Sequence, residues 1–345
     1  MTLWRKNMID IIKKDEKLWD LFCRKEEYKP QNLDNRRRFS SAHASYKNLQ
    51  HPVVSEFLKK NDWVFPWPDD KTFTVCLSHD IDDIYSTVQF RYFTSLKLLC
   101  ESDVQSAMKR IRKKEDPYWN FREILRIEKE ADAVSTFYIM ADNSRYDPRD
   151  LTEELHYVID NGGEIGLHGG YSSYKDAHKI HTEKQFLEEI AGTRIIGYRN
   201  HYLRFKIPET WMLLSQVGFQ YDSTMGYTSD VGFRNGMCHP FAPFNLNENT
   251  PIDILEIPLV VIDNTLFRTK NVTEEECWGT CKNLIDTVER LNGIITFLWH
   301  NYSFDNAFYK LRRKLYIKIL SYCHQKNAWI TNGKEVCEWT KKNLR

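Results

Sequence analysis

The sequence predicts an α/β fold, a distorted (β/α)7-type barrel of about seven parallel strands with a helical N-terminal extension. From residue 72 onward, short apolar runs rich in β-forming side chains alternate with helical patterns over about 270 residues. That alternation is typical of parallel strands joined by helical crossovers, either in a barrel or in an open doubly wound sheet. A polar, helix-patterned first segment, followed by a proline-containing turn, predicts the extension.

The predicted extension comprises residues 1–65, and the predicted barrel domain comprises residues 66–345. Apolar side chains recur at helical spacing between Leu3 and Leu21, which favours helices in the extension. The segment WVFPWPDD, residues 63–70, contains two prolines and two acidic residues and is typical of a turn or linker. All the segments that suggest chemistry follow it.

Seven apolar segments predict the strands of the barrel. They are residues 72–78, 134–140, 164–170, 194–200, 254–262, 294–299 and 328–331. Helices are predicted at residues 84–114, 116–133, 151–163, 183–191 and 210–217. Asp116 and Pro117 begin one of these helices at the positions typical of an N-cap and a first-turn proline.

Charge and composition narrow the class of protein. The chain has 49 basic and 48 acidic side chains, a net charge of +1, so no overall field attracts nucleic acid. The first 25 residues contain no apolar leader, and no apolar run approaches the ~18 residues of a membrane span. Eight cysteines lack the spacing of a disulfide framework or a zinc box. We therefore expect a cytoplasmic protein with reduced thiols and no membrane span.

Two basic runs stand out against this balance, at residues 36–38 and 109–114. Each is either a solvated helix face or a contact for a phosphate or a lipid headgroup. The second interpretation leaves peripheral membrane contact open.

Polar side chains that can bind metals or move protons follow four of the predicted strands. They are His79, Asp80 and Asp82 after the first strand, His168 after the third, Arg199 and His201 after the fourth, and His300 after a late strand. In parallel β/α folds the carboxyl ends of the strands meet at one edge, where active sites form. One such histidine alone would suggest packing, but four strands that end in this way predict a site.

Asp80 and Asp82 form the most informative pair, because two carboxylates so close repel each other unless a cation lies between them. In the functional interpretation one aspartate binds a metal and the other is a general base beside the water. In the structural interpretation a loop aspartate caps the next helix, a role that suits Asp83.

The ordered set of segments resembles the NodB-type polysaccharide deacetylase family over about residues 72–335. It is most similar to the branch whose first motif is His-Asp-x-Asp, found with glycan biosynthesis. The segments that carry the resemblance are SHDID, STFYIM, EIGLH, GYRNHYLRF, YDSTMGY, GFRNG, EIPL and FLWHN. The resemblance implies a distorted barrel and a metal-dependent hydrolase.

The resemblance also implies a role for each matching position. Asp80 would be the catalytic base, Arg199 the residue that orients it, and His300 the general acid. Asp82 and His168 would bind a divalent metal, most simply Zn²⁺. The backbone N–H of Tyr202 would help to bind the oxyanion. The implied reaction is amide hydrolysis, in which the metal lowers the pKa of its water and Asp80 takes the proton as that water attacks.

The sequence departs from the family at Ser172, where relatives have a second histidine four residues after the first. A catalytic zinc site normally needs three protein ligands, and a serine hydroxyl is a poor one. His201 is the first candidate for the third ligand, and His178 and His181 are weaker candidates. A site with only two residues, or none, is the alternative.

Several other residues have both functional and structural interpretations. Asp222 and Arg234 either line the cleft or serve as cap and salt bridge, while Glu256 begins a buried strand end and should be paired. Trp299 is a core residue or a sugar platform, with the core favoured, and His79 should pack or hydrogen-bond behind the site.

We therefore expect a carbohydrate N-deacetylase or N-deformylase that acts on a cytoplasmic glycan precursor, either nucleotide-linked or lipid-linked. Two other classes compete. A glycan-binding protein that has lost catalysis is favoured by Ser172, but the base, the acid and the orienting arginine argue against it. A glycoside hydrolase would use Asp80 with a second carboxylate.

Overall fold

The structure is a computed structural model that describes residues 3–68, 71–100, 104–109, 116–142, 145–268 and 272–343. The strands are β1 (Thr74–Ile81), β2 (Thr136–Ile139), β3 (Glu164–Gly169), β4 (Gly197–Asn200), β5 (Tyr221–Asp222), β6 (Phe244–Asn245), β7 (Thr250–Pro251), β8 (Leu255–Glu256), β9 (Val261–Ile262), β10 (Ile294–Leu298) and β11 (Trp329–Thr331). The α-helices are α1 (Leu3–Ile12), α2 (Glu16–Phe22), α3 (Val53–Lys60), α4 (Val88–Cys100), α5 (Val104–Lys109), α6 (Phe121–Glu130), α7 (Thr152–Asp160), α8 (Ala177–Ala191), α9 (Glu209–Val217), α10 (Asp263–Leu266), α11 (Glu274–Arg290), α12 (Lys310–Gln325) and α13 (Gly333–Asn343).

The main sheet is parallel throughout and has the order β8-β5-β4-β3-β2-β1-β10-β9. Its two ends, β8 and β9, belong to one short segment, residues 255–262. Within that segment the N–H of Leu259 donates to Met225 on one side, and the N–H of Val260 donates to Thr296 on the other. The segment therefore borders both edges of the sheet, and the predicted distorted barrel is confirmed. β11 pairs with the start of β1.

Two details of the strand prediction were incomplete. Residues 254–262 form two short strands, because Pro258 between them has no N–H to donate to a neighbour. β5 lies in the YDSTM segment, for which the sequence predicted no strand.

The predicted helix at 84–114 consists of α4 and α5, and residues 110–114 of the basic run lie outside the described residues. No helix in the described parts of the chain is long and apolar enough to cross a bilayer.

Side chains of the strands alternate between two environments, as the period of an extended strand requires. In β1, Val75 and Leu77 pack in the outer core against the helices, whereas Cys76 belongs to the inner core. The same alternation directs Ser78 and Asp80 toward the barrel interior. The outer face is thus apolar, and the inner face becomes polar toward the carboxyl ends of the strands.

Gly166 shows how tightly the barrel interior is packed. A Cβ at this position would lie 2.6 Å from the Tyr138 ring on the neighbouring strand β2. We expect Gly166→Ala to lower the free energy of unfolding by about 1–3 kcal/mol, because overpacking forces the ring to move. Gly279 in α11 is the matched control, since a Cβ there meets nothing within 4 Å. Gly279→Ala should stabilise by about 0.5–1 kcal/mol, and chemical denaturation measures both variants. Equal effects would contradict the packing argument.

The N-terminal extension packs directly on the barrel. Apolar side chains of α1–α3 and of the segment that follows α3 form one hydrophobic core with inward-facing side chains of the barrel strands. Its members include Met8, Ile12, Phe22, Val54, Leu58, Trp63, Phe65, Cys76, Tyr138, Tyr221 and Ile294. The domain boundary at residues 65 and 66 stays a prediction, and the two parts share this core.

Candidate active site and metal centre

The inward-facing polar side chains converge at the carboxyl ends of the strands, as the sequence predicted for that edge. They line a cavity of about 480 Å³. Its floor contains Asp80, Asp82, His168, His201 and His300. Five residues of the extension, Asp34, Arg36, Arg38, Phe39 and Ser40, also line it.

Asp82, His168 and His201 form a group whose ligand atoms all lie within 4.8 Å of one another. An Asp82 Oδ1 is 3.1 Å from His168 Nε2 and 3.7 Å from His201 Nε2. In a tetrahedral zinc site with bonds of about 2.0–2.1 Å, neighbouring ligand atoms are about 3.3 Å apart. The observed spacing and the one-carboxylate, two-imidazole donor set therefore fit a site that could hold a divalent metal ion.

Both imidazoles can offer a ring nitrogen to a metal, although they differ in protonation. Burial would lower the pKa of His168, but the Asp80 and Asp82 carboxylates outweigh burial and raise this pKa, so a metal would displace the proton on its Nε2. His168 Nδ1 lies 3.0 Å from the carbonyl oxygen of Arg199, to which its N–H donates, and this leaves Nε2 directed at Asp82. Burial lowers the pKa of His201 to about 4, with a further contribution from the charge of His168, so His201 is the neutral form that a metal requires. Burial opposes the ionisation of Asp82, but its hydrogen bond to His168 and the nearby histidines outweigh burial and hold its pKa well below the usual range.

Asp80 lies beside this group and is held by Arg199. An Nη1 of Arg199 donates to Asp80 Oδ1 at 2.8 Å, and Asp80 Oδ2 is 3.7 Å from His168 Nε2. Arg199 is fully buried and donates its other hydrogen bonds to Ser78 Oγ and to the carbonyl oxygen and hydroxyl of Ser223. Its plane also lies over the Tyr138 ring, 4.3 Å from the centroid. These contacts fix the orientation of the Asp80 carboxylate.

His300 occupies the other side of the cavity, with Nε2 3.8 Å from Asp82 Oδ2. Its Nδ1 lies 2.6 Å from Asp263 Oδ1, and Asp263 also accepts the His300 backbone N–H and the Ser303 hydroxyl. Burial alone would lower the pKa of His300, but the Asp263 carboxylate raises it to about 9. A protonated imidazole in this position can donate a proton from Nε2.

The sequence analysis missed Asp263. It directly follows β9, so the criterion of a polar residue at the carboxyl end of a strand would have identified it.

We expect Asp263→Asn to lower kcat by about 10²-fold with little change in KM, because the substitution weakens the proton donor His300 without removing a binding contact. Steady-state kinetics measures both constants. Asp160→Asn, the same change at an exposed position of α7 outside the cavity, is the control and should leave both constants unchanged.

Tyr202 lies in a left-handed turn that the extension supports. Tyr202 and Leu203 have φ values of 61° and 53°, and the Tyr202 ring stacks on His201 with centroids 3.9 Å apart. The Arg36 guanidinium lies 3.6 Å from the centroid of the Tyr202 ring, and Arg38 Nη1 donates to the Tyr202 carbonyl oxygen at 2.9 Å. The extension thus supports the turn that carries His201.

No family model matches the sequence, and no curated protein matches it at a significant level. Solved structures do match the fold. A protein from Mycobacterium smegmatis described as a polysaccharide deacetylase is 18% identical with a TM-score of 0.57, over 81% of this chain and 93% of that one. A protein from Pseudomonas aeruginosa described likewise is 15% identical with a TM-score of 0.56, over 92% and 100% of the two chains. The PuuE allantoinase is 14% identical with a TM-score of 0.57, over 92% and 99%.

The fold is that of the polysaccharide deacetylases. The expectation drawn from the ordered sequence motifs is confirmed at this level. At 14–18% identity the likeness concerns the fold alone, so the activity of this chain has to be argued from its own residues.

Other candidates from the sequence lie outside this site. Ser172 accepts a hydrogen bond from Lys179 Nζ, and His178 and His181 are exposed on α8. None of the three belongs to the metal-binding group found among the described residues. The position of His201 makes it the better candidate for a third ligand.

The remaining residues have structural surroundings. His79 contacts the Trp299 carbonyl oxygen and Glu128 in the outer core, and Trp299 itself is fully buried there. Glu256 accepts a hydrogen bond from the Trp211 indole and lies beside Asp222, and burial raises the pKa of both carboxyls. These residues hold the sheet to its helices.

Arg234 has two roles at the cavity. It lines the wall and is paired with Glu27 of the extension. Both of its sequence-based interpretations, cleft wall and salt bridge, therefore describe its surroundings.

Proposed function

We propose that this chain is a metal-dependent hydrolase that removes an N-acetyl or N-formyl group from a saccharide. The observation that carries the proposal is the meeting of three distinct groups in one cavity. These groups are the ligand set of Asp82, His168 and His201, the Asp80–Arg199 pair on one side, and the His300–Asp263 pair on the other. A protein that only binds glycans has no need for a base, an acid and a metal ligand set together.

Each side chain has a task in amide hydrolysis. A bound divalent cation, most simply Zn²⁺, would polarise the acyl oxygen and favour ionisation of a water. Asp80, oriented by Arg199, accepts the proton of the attacking water. His300, held protonated by Asp263, donates a proton to the departing amine nitrogen. Tyr202 lines the cavity, and its backbone N–H would donate to the developing oxyanion.

The names of the structural neighbours support a saccharide substrate, since two of them are described as polysaccharide deacetylases.

We further propose that the substrate carries a phosphate, as in a nucleotide-linked or lipid-linked precursor. Arg36 and Arg268 line the cavity, and neither forms an ion pair among the described residues, since the Arg36 guanidinium lies over the Tyr202 ring. The other charged wall residues are compensated, for example Arg38 by Asp34 and Arg234 by Glu27. Such precursors are cytoplasmic intermediates, and the free thiols of the chain suit that compartment.

The phosphate hypothesis predicts a selective effect of Arg268→Gln. We expect KM for a phosphate-linked N-acetyl sugar to rise about tenfold, since a charge-assisted contact to phosphate contributes about 1.5–3 kcal/mol. Turnover of the corresponding neutral sugar should be unchanged. Arg149→Gln, on the exposed surface away from the cavity, is the matched control. Equal losses on both substrates would contradict the hypothesis.

The function itself is tested with purified protein, measuring bound metal and release of acetate or formate from N-acylated saccharides. We expect about one equivalent of divalent metal, loss of activity with chelator, and recovery with zinc. His201→Ala should lower metal affinity, whereas His181→Ala should not. Release of shortened glycans would instead indicate a glycoside hydrolase. Tight glycan binding without metal or acyl release would indicate a binding protein.

A further inference from the structure

The helices α4 and α5 expose an unusual amount of apolar surface. We call them the apolar hairpin, since Ser95 Oγ of α4 donates to the Ala107 carbonyl oxygen of α5. Half of the large apolar side chains that are exposed in the described chain lie in it. They are Val88, Tyr92, Phe93, Leu96, Leu99, Val104 and Met108. Tyr92 is 71% exposed, Met108 66% and Leu96 60%. Contiguous apolar surface of this kind marks an interaction site.

The charge of the same stretch of sequence points to the nature of the partner. Residues 84–114 contain seven basic side chains and two acidic ones. The basic residues are Arg91, Lys97, Lys109, Arg110, Arg112, Lys113 and Lys114, and the acidic ones are Glu101 and Asp103. The whole chain has a net charge of only +1, so this excess is local. Apolar side chains combined with excess basic charge suit the surface of an anionic bilayer.

The apolar hairpin is also joined to the catalytic side of the barrel. The Phe90 ring of α4 lies 5.0 Å from the Phe308 ring and 5.8 Å from the Tyr118 ring. Tyr118 in turn contacts Tyr302, whose ring stacks on His300 with centroids 5.1 Å apart. A continuous aromatic contact path therefore leads from the hairpin to the cavity.

We propose that the apolar hairpin docks the protein on an anionic lipid bilayer. Its apolar side chains enter the boundary between headgroups and acyl chains, and the excess of basic residues in this stretch of sequence favours anionic headgroups. The helices are 13 and 6 residues long, so they lie in the interface and do not span it. Docking there brings the cavity close to the membrane surface, where a lipid-linked saccharide would be held.

The experiment is sedimentation of the full chain with phosphatidylcholine vesicles, with or without about one third phosphatidylglycerol. We expect binding to the anionic vesicles, reduced by salt. Leu96→Asp and Met108→Asp should each lower the partition coefficient about tenfold or more, because a buried apolar side chain is replaced by a charge. Val64→Asp changes an equally exposed side chain, 66%, outside the hairpin, and should leave binding unchanged.

Two results would overturn the proposal. Binding that is absent, or equal for Leu96→Asp and Val64→Asp, excludes the hairpin as the docking element. A dimer in light scattering that Leu96→Asp dissociates, without vesicle binding, would mean that a second copy of the chain covers the surface. Hydrolysis of a soluble N-acetyl saccharide by Leu96→Asp should equal that of the wild type. That measurement separates a failure of docking from a failure of the proposed catalytic function.

Discussion

Asp80→Asn should lower kcat by about 10²–10⁴-fold, the usual contribution of a positioned general base. The carboxamide keeps an oxygen that can accept the Arg199 hydrogen bond, so the geometry around Arg199 is retained while the basic group is lost. Asp82, His168 and His201 are unchanged in this variant, and metal content should remain that of the wild type. The measurements are steady-state kinetics and metal analysis of the same protein preparation.

The neighbouring Asp83 provides the control for this experiment. Its carboxylate pairs with Arg145, and it does not line the cavity. Asp83→Asn should therefore change kcat by less than about threefold. Loss of metal from Asp80→Asn would identify Asp80 as a ligand, and retained activity would exclude it as the base.

Much of the barrel and its catalytic edge followed from sequence, because both depend on local patterns. Each of the longer strands appears in the sequence as an apolar run of a few residues. The polar residue that ends the run lies at the carboxyl end of the strand, where active sites form. Asp80, Asp82, His168 and His300 were found in this way, and the structure places all four around one cavity. The short strand β5 was missed, since two residues carry no periodic signal.

What the sequence did not provide are contacts between segments far apart in the chain. Asp263 and His300 meet because β9 and β10 are neighbours in the sheet. The contact between Arg38 and the Tyr202 carbonyl oxygen joins residues 164 positions apart. No local pattern shows that the extension reaches the mouth of the cavity. For the same reason the sequence could name His201 only as a candidate, whereas the left-handed turn at Tyr202 places it opposite Asp82.

Glu27→Gln should lower the free energy of unfolding by about 3–5 kcal/mol, enough to unfold a marginally stable protein. Glu27 is buried between Arg24 and Arg234, which also are buried. Arg24 Nε donates to Glu27 Oε1 at 2.7 Å, and Arg234 Nε donates to the same oxygen at 3.0 Å. Removal of the Glu27 charge leaves Arg24 paired only with Glu26, and it leaves the buried Arg234 without an ion pair among the described residues. Chemical denaturation measures the change.

Glu26→Gln is the matched control, because this adjacent glutamate also pairs with Arg24 but its side chain is 24% exposed. It should cost less than about 1 kcal/mol. Similar losses in both variants would mean that the buried cluster has no special role in joining the extension to the barrel.

The pH dependence of stability gives an independent test of the Glu27 cluster. Burial opposes ionisation of Glu27, but the charges of Arg234 and Arg24 outweigh burial and lower its pKa below the ordinary 4.5. A carboxyl whose pKa is lowered in the folded state stabilises the protein above its unfolded-state pKa, and this contribution is lost as pH falls through the folded-state pKa. The difference between wild type and Glu27→Gln should therefore be full at neutral pH and shrink below about pH 4.5. A difference that is constant with pH would mean that the substitution acts through packing and not through charge. The same cluster joins the extension to Arg234 on the cavity wall. Its loss should therefore also loosen the packing of the extension, whose residues Arg36 and Arg38 line the cavity.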